Sequence, residues 1–507
     1  MGVARIPATA LIRTALLAAC LWCAPLGATE TPRAPAAVDP VAGKPRVFVL
    51  TDIGNEPDDQ MSLVRLLLYS NELDIEGLVA TTSTWKKDYG QPEYLGPVID
   101  AYAEVQENLA RHAPGYPGAD ALRALVASGP EGYGMAATRP GQPSTGTRAL
   151  LDAARRDDPR PLWITIWGGA NTLAEALLHA RAHLEPAALD ALIAKLRVHS
   201  ISDQDDAGPW IRREFPHLFY IVKPSAPDAE EYASATWTGI SGDVYYRNCA
   251  GADGSTVTNK WLDTHVRRKG PLGKVYPRFE FIMEGDTPSF LGLTSNGLAS
   301  AGNPSWGGWG GRYVFRQPYG ESHAIWTQGG DAFERVTSQD QVLGYDGKIY
   351  LSDQATIWRW RTAFQHEFAA RMDWTLREYA DANHPPMVSV NGSAGTAPVY
   401  IETAVGKPVL LDASAARDPD GHRLQFRWFH YGEAGFVPGR ALARVSLSGT
   451  NAPQTTVTVT EACRPAWHPS REPCPPSSAH IILEVTDNGT PALTSYRRVI
   501  LNVAAGR

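Results

Sequence analysis

Four apolar residues, Val47-Phe48-Val49-Leu50, run together and give way to polar positions at Thr51-Asp52. An unbroken apolar run ending in a polar loop predicts a strand buried on both faces of a parallel sheet. Met61, Leu63, Val64, Leu66, Leu67 and Leu68 then recur at helical spacing over residues 59–69. The alternation repeats along the chain. Residues 74–80 predict a strand closing on Thr81-Thr82-Ser83-Thr84, and a helix follows near 94–111. Residues 161–167 predict a third strand with Gly168-Gly169 as its turn, and 171–184 a helix stopped before Pro186. Residues 196–201 and 218–222 read as short strands, and 281–283 as an apolar strand entering an acidic loop. Strand–helix alternation predicts an α/β fold, a mostly parallel open sheet with flanking helices, over residues 46–383. Ligands of such sheets bind at the carboxyl ends of the strands.

Helical spacing persists to about Asp381, and the texture then changes. After Pro385-Pro386, short alternating runs separated by turn residues predict an all-β, immunoglobulin-like sandwich over residues 384–507. Asp418-Pro419-Asp420-Gly421 is a turn between two of its strands, and Trp428 is expected in its core. No repeat of solenoid type is present.

Composition narrows the setting. With 43 % hydrophobic and 20 % charged residues and a net charge of −7, the chain has ordinary globular character and lacks the basic excess that nucleic acid requires. Arg5 and Arg13 precede an apolar run over 14–28 that is too short to span a bilayer, so 1–28 reads as a signal peptide ending at Leu26-Gly27-Ala28. Leu17-Ala18-Ala19-Cys20 offers a second reading, a lipoprotein anchored at Cys20. No later segment is long and apolar enough for a membrane span. The expected location is secreted or periplasmic. Residues 29–45, rich in Pro and Ala, read as a disordered lead-in. In an oxidising compartment Cys463 and Cys474 are expected to close a Pro-rich loop, leaving Cys249 as a buried thiol.

Three segments carry candidate chemistry. Asp52, Glu56, Asp58 and Asp59 crowd the loop after the first strand, where like charges need a cation or protons to coexist. Hard oxygen donors of this kind suit Ca²⁺. Trp167-Gly168-Gly169-Ala170-Asn171 forms a tight strand-to-helix turn with accessible carbonyls. Glu284-Gly285-Asp286-Thr287-Pro288 is a second acidic loop. Taken singly, each also reads as a capped helix start.

Together the three resemble the inosine-uridine nucleoside hydrolase family. They are more similar to the nucleoside-hydrolase-like domain of a bacterial family described as cellulose-binding, on Thr51-Asp52-Ile53-Gly54-Asn55-Glu56-Pro57-Asp58-Asp59-Gln60, Glu284–Leu291 and Gly307–Tyr313. This resemblance covers roughly residues 45–505. It implies that Asp52, Asp59, Asp286 and the carbonyl of Ala170 ligate Ca²⁺. It also implies a general base in the first loop, with Asp58 the first choice and Asp52 its rival. The base would deprotonate a water that attacks the anomeric carbon. The ribose-reading Asn of nucleoside hydrolases is missing, with Ser83 and Thr84 in its place; Gly285 stands for a His, and Pro216 for an Asn beside Glu214. The metal shell is therefore kept while the ribose shell is rewritten.

Substrate contacts are expected from Asn171, Ser83, Thr84, Asp206 (or its neighbours Asp203 and Asp205), Glu214, Glu284 and Trp309. Trp306, Trp309, Arg312 and Tyr313 form either a sugar platform or a packed loop. His179 and His183 share a helix face without a third ligand. Two functions follow. One is an exported Ca²⁺-dependent hydrolase of N-glycosidic or related glycosidic bonds; the other is a carbohydrate-binding protein on the same scaffold without turnover. The expected partner is a carbohydrate or nucleoside-like small molecule. Relatives of this fold associate, and the sequence leaves oligomerisation open.

Overall fold

The computed structural model describes residue 2 and residues 43–226, 229–329, 338–435, 443–462 and 477–503. The expected signal peptide (residue 2 apart), Cys20, most of the lead-in and the Cys463–Cys474 pair lie outside the described residues.

The central sheet has eight strands: β1 Arg46–Thr51, β2 Asp74–Ala80, β3 Val126–Ser128, β4 Leu162–Ile166, β5 Leu196–Ser200, β6 Phe219–Ile221, β7 Val314–Arg316 and β8 Ile325–Thr327. Their order is β3-β2-β1-β4-β5-β6-β8-β7, parallel throughout except for the final β8–β7 pair. The apolar run of β1 explains why the sheet is covered on both faces. Val47 and Val49 pack into one core with Met61, Leu63 and Leu67 of α1 (Asp58–Leu68), while Phe48 and Leu50 enter the other with Leu173 and Leu177. This second core is roofed by α2 (Thr145–Arg155), α3 (Asn171–His183) and α4 (Ala207–Glu214). Each large apolar side chain so buried contributes about 1.5–3 kcal/mol before entropy is subtracted.

The expected strand at 281–283 does not form. Ser241 Oγ accepts from Met283 N (3.0 Å) and donates to Met283 O (2.9 Å), meeting the backbone needs that a sheet neighbour would otherwise meet. The chain from β6 to residue 381 holds short helices and turns, a hairpin of β9 Asp340–Leu343 with β10 Ile349–Ser352, and one long helix, α5 (Arg361–Trp374).

The C-terminal region begins with the small pair β11 Ser389–Val390 and β12 Ser393–Ala394. It continues as a sandwich of β13 Val399–Thr403, β14 Pro408–Asp412, β15 Gln425–His430, β16 Arg444–Ser448, β17 Gln454–Glu461, β18 Ser477–Thr486 and β19 Thr494–Val503. One sheet runs β13-β19-β18-β15 and the other β14-β17-β16, antiparallel except for β13–β19. Trp428 is buried in the core between them. The sandwich is fixed to the α/β part by buried bonds. Arg498 Nε donates to Leu298 O (2.6 Å), Tyr496 N donates to Asn296 O (3.0 Å), and Tyr431 OH donates to Asp340 (2.5 Å). Among the described residues no helix is long and apolar enough to cross a membrane.

Candidate metal and substrate site

The chain leaves β1 toward β2 on one side and leaves β4 toward β5 on the other, so the loops after β1 and β4 diverge and open a crevice between them. Asp52 sits there, and Gly168 lets it settle: a Cβ at 168 would lie 2.8 Å from Asp52 Cβ and Oδ1. Asp58 and Asp59 occupy the first turn of α1, where the helix dipole favours negative charge. Asp286 arrives from the far loop, and carboxylate oxygens of Asp58, Asp59 and Asp286 lie within 4.8 Å of one another. Asp52 lines the same cavity and is hydrogen-bonded to Ser83 and Asp59.

Electrostatics at this cluster are unfavourable as it stands. Burial, then the charges of Asp52 and Asp58, holds the Asp59 carboxyl well above the usual carboxylate range. Burial, then the charges of Asp59 and Asp58, raises Asp286 in the same direction. Burial, with Glu56 and Asp52, pushes Asp58 up to about 7, and burial raises Glu56 to about 7 and lifts Asp52. Thr51 Oγ1 donates to Asp59 Oδ1, yet Asp286 Oδ2 is buried with no donor at all. A buried, unpaired carboxylate oxygen is costly, and a cation is the partner that resolves the repulsion as well. The donor set is all oxygen and fits a hard divalent ion such as Ca²⁺.

Two features hold the cluster in shape. Arg65 of α1 pairs with Glu284, and Glu284 also accepts from Tyr276 OH (2.6 Å) and Thr287 Oγ1 (3.0 Å). Glu284 itself adopts a positive φ of 59°, turning the chain just before Asp286. Gly285 then leaves space for Asp58, since a Cβ there would stand 2.7 Å from Asp58 Oδ2 and 3.1 Å from the Trp237 ring. A His at this position, as in nucleoside hydrolases, would have to displace the Asp58 carboxylate.

Above the carboxylates lies a cavity of about 180 Å³ with aromatic walls, built from Trp85, Trp167, Tyr232, Trp237, Tyr245 and Phe281. Trp85, Tyr245 and Phe281 are exposed at 49 %, 47 % and 44 %, so part of each ring is open to solvent beside the cavity. Gln204 donates to Trp167 O (2.5 Å), while its Oε1 is buried without a partner. The sequence reading missed these walls. Trp85 was within reach, one residue beyond Thr84 at the end of β2's loop; Trp237, in a short 3₁₀ helix, and Tyr245, in a turn, have no motif to mark them.

The Ala170 carbonyl accepts from Ala174 N (3.0 Å) as the first bond of α3, and the Ala170 side chain packs in the core on that side of the sheet. Several expected substrate contacts lie elsewhere. Asn171 is buried among Thr81, Thr82 and Gly132, bonded to all three. Ser83 serves Asp52 rather than the cavity, and Thr84 turns toward Tyr133. Asp206 is exposed and accepts from Met135 N, Asp205 accepts from Asn171 N, and Asp203 pairs with Arg212. Glu214 is ion-paired with Arg181 on α4, away from the cavity. Glu284 is wholly consumed by Arg65 and its hydroxyl donors. Trp309 is fully buried against Phe364 and Tyr496, Arg312 pairs with Asp340, and Tyr313 contacts His199, so the Gly-rich segment is a packed seat for the sandwich and not a sugar platform. His179 and His183 stack on each other, and their Nδ1 atoms contact carbonyls.

Comparison with known proteins agrees with this architecture. Residues 46–313 match the family model described as "Cellulose-binding Sde182, nucleoside hydrolase-like domain", and residues 408–503 match "Cellulose-binding protein Sde0182, C-terminal domain". Among solved structures, the chain is similar to a nucleoside hydrolase-related hypothetical protein from Saccharophagus degradans associated with carbohydrate metabolism. The two are 35 % identical over 91 % of this chain and 100 % of that one, with a TM-score of 0.73. The type III effector XopQ complexed with adenosine diphosphate ribose is far more distant, at 12 % identity, 56 % of this chain, 88 % of that one and a TM-score of 0.29. No curated protein matches the chain significantly.

Proposed function

The chain belongs to the cellulose-binding Sde182 family with its nucleoside hydrolase-like domain, and from that premise we propose that it hydrolyses a glycosidic bond of a carbohydrate bound in the aromatic-walled cavity. Asp52, Asp59 and Asp286 would hold a calcium ion, and Asp58 would act as general base. The unpartnered Asp286 Oδ2, buried beside two further carboxylates, is the observation that carries this reading. When bound, calcium supplies charge neutralisation and the electrophilic activation of a water.

The residues divide the remaining work. Asp58 is the least buried of the four aspartates and faces the cavity, so its carboxylate can take the proton of an attacking water. That water adds to the anomeric carbon while the leaving group departs through an oxocarbenium-like state. The open rings of Trp85, Tyr245 and Phe281 would pack against the C–H surface of a sugar, and Gln204 Oε1 can accept from a hydroxyl. Trp85 stands just past the position where nucleoside hydrolases read ribose, which supports a carbohydrate over a nucleoside. An exported location, set by the apolar N-terminal segment, is part of the proposal.

A second reading, sugar binding without turnover, is favoured by the family's description as cellulose-binding. One assay separates the two. The calcium-loaded chain is offered nucleosides, aryl glycosides and insoluble cellulose-type polysaccharide. Hydrolysis that falls about 10²–10⁴-fold in Asp58→Asn, with calcium still bound, supports the enzyme. Polysaccharide binding with no turnover on any substrate supports the second reading.

A further inference from the structure

The loop between β14 and β15 brings a second set of metal-type donors together, far in sequence from the cavity. Single ligand atoms of Asp418, Asp420 and His422 lie within 4.8 Å of one another. A turn alone explains part of this. Asp418 Oδ1 accepts from Asp420 N (3.0 Å) and His422 N (2.9 Å), which closes the Asp-Pro-Asp-Gly bend.

The turn does not explain the other oxygen. The Asp418 side chain is 1 % exposed, and its Oδ2 is buried with no donor. His422 Nδ1, 3.4 Å from Asp418 Oδ1, also makes no hydrogen bond. Asp487 of the same sandwich shows what a satisfied buried carboxylate looks like here: it accepts from Asn383 Nδ2, Gly489 N and Leu493 N. The buried Asp418 Oδ2 is left without any donor, and His422 Nδ1 has beside it only the Asp418 carboxylate at ion-pair distance, an arrangement that is expensive unless a cation binds there.

The third donor is already oriented. Asp420 accepts from His384 N (2.7 Å) and contacts His384 Nδ1 (3.0 Å). His384 Nε2 in turn meets His112 Nδ1 (3.0 Å) on the α/β side. Such outer partners fix ligating carboxylates in metal sites.

We propose that Asp418, Asp420 and His422 bind a divalent transition-metal ion of the zinc class, clasping the sandwich loop at its joint with the α/β domain. Two carboxylates with an imidazole suit zinc or manganese, whereas calcium prefers an all-oxygen shell. The site is independent of the cavity cluster and of any reading of turnover.

The test strips the full chain with EDTA and titrates it with zinc chloride by calorimetry and thermal melting, in an Asp286→Asn background that removes the cavity cluster. Asp418→Asn keeps the Oδ1 acceptor of the turn, and His422→Ala removes the imidazole. The expected result is saturable binding of a single zinc ion with a raised Tm, weakened about tenfold or more by either substitution. The same two substitutions in the otherwise unaltered chain should each remove one zinc from the total bound. Zinc binding equal in parent and both variants, or calcium bound there in preference to zinc, would overturn the proposal.

Discussion

Arg65 and Glu284, 219 positions apart, form a fully buried ion pair that ties the helix bearing Asp58 and Asp59 to the loop bearing Asp286. The Arg65 guanidinium also lies 3.9 Å over the Phe368 ring, so the pair is enclosed by α5. Its task is positional: it sets the distance between the two acidic segments.

Removing one partner leaves an uncompensated buried charge. Glu284→Gln and Arg65→Met are each expected to destabilise the fold by about 3–5 kcal/mol. The double variant Arg65→Met/Glu284→Leu should recover much of that loss. Thermal melting of the three proteins checks this, and a double variant no better than the singles would contradict it.

Gly285 is expected to matter for the site more than for the fold. Gly285→Ala places a methyl 2.7 Å from Asp58 Oδ2, at the end of a side chain that can move aside. The Tm should change little, while turnover falls about tenfold as the carboxylate is displaced. Wild-type turnover in this variant would remove Asp58 from the reaction.

Much of this architecture was legible from residue patterns. The strand at β1, its successor helix and the loops at Asp52 and Asp286 follow from apolar periodicity and acidic clustering, because a doubly covered parallel strand needs an unbroken apolar run. The side chains that fill the cavity were not legible. Trp85, Trp237 and Phe281 converge from three short segments far apart in sequence, and only tertiary packing brings them together. Glu284 and Trp309 misled for a related reason. A Glu beside a ligand Asp and a Trp among glycines look functional in sequence, but the partners that bury them, Arg65 and Tyr496, lie about 200 residues away.

Acid sensitivity should arise from buried imidazoles. Burial pushes His199 down to about 3, from an ordinary value near 6.5. A depressed folded-state value means that the neutral ring's contribution is complete above pH 6.5 and is lost as pH falls toward 3. At pH 5 the loss amounts to about 2 kcal/mol. His199→Phe should flatten the fall in urea midpoint between pH 7 and pH 5. An unchanged slope would assign the acid sensitivity elsewhere.

Trp85 is expected to anchor a sugar ring. Trp85→Ala, at a 49 % exposed position, should leave the Tm near that of the wild type and weaken retention on a cellulose-type affinity gel about tenfold. Equal retention would move the carbohydrate surface away from this cavity.

The account rests on a cation among the aspartates, and calorimetric titration of calcium into the EDTA-stripped full chain tests it most directly. The wild type should bind calcium at the cavity with a rise in Tm, and Asp286→Asn should weaken that binding about tenfold or more. No calcium uptake, or uptake and stabilisation identical in Asp286→Asn, would contradict the central claim.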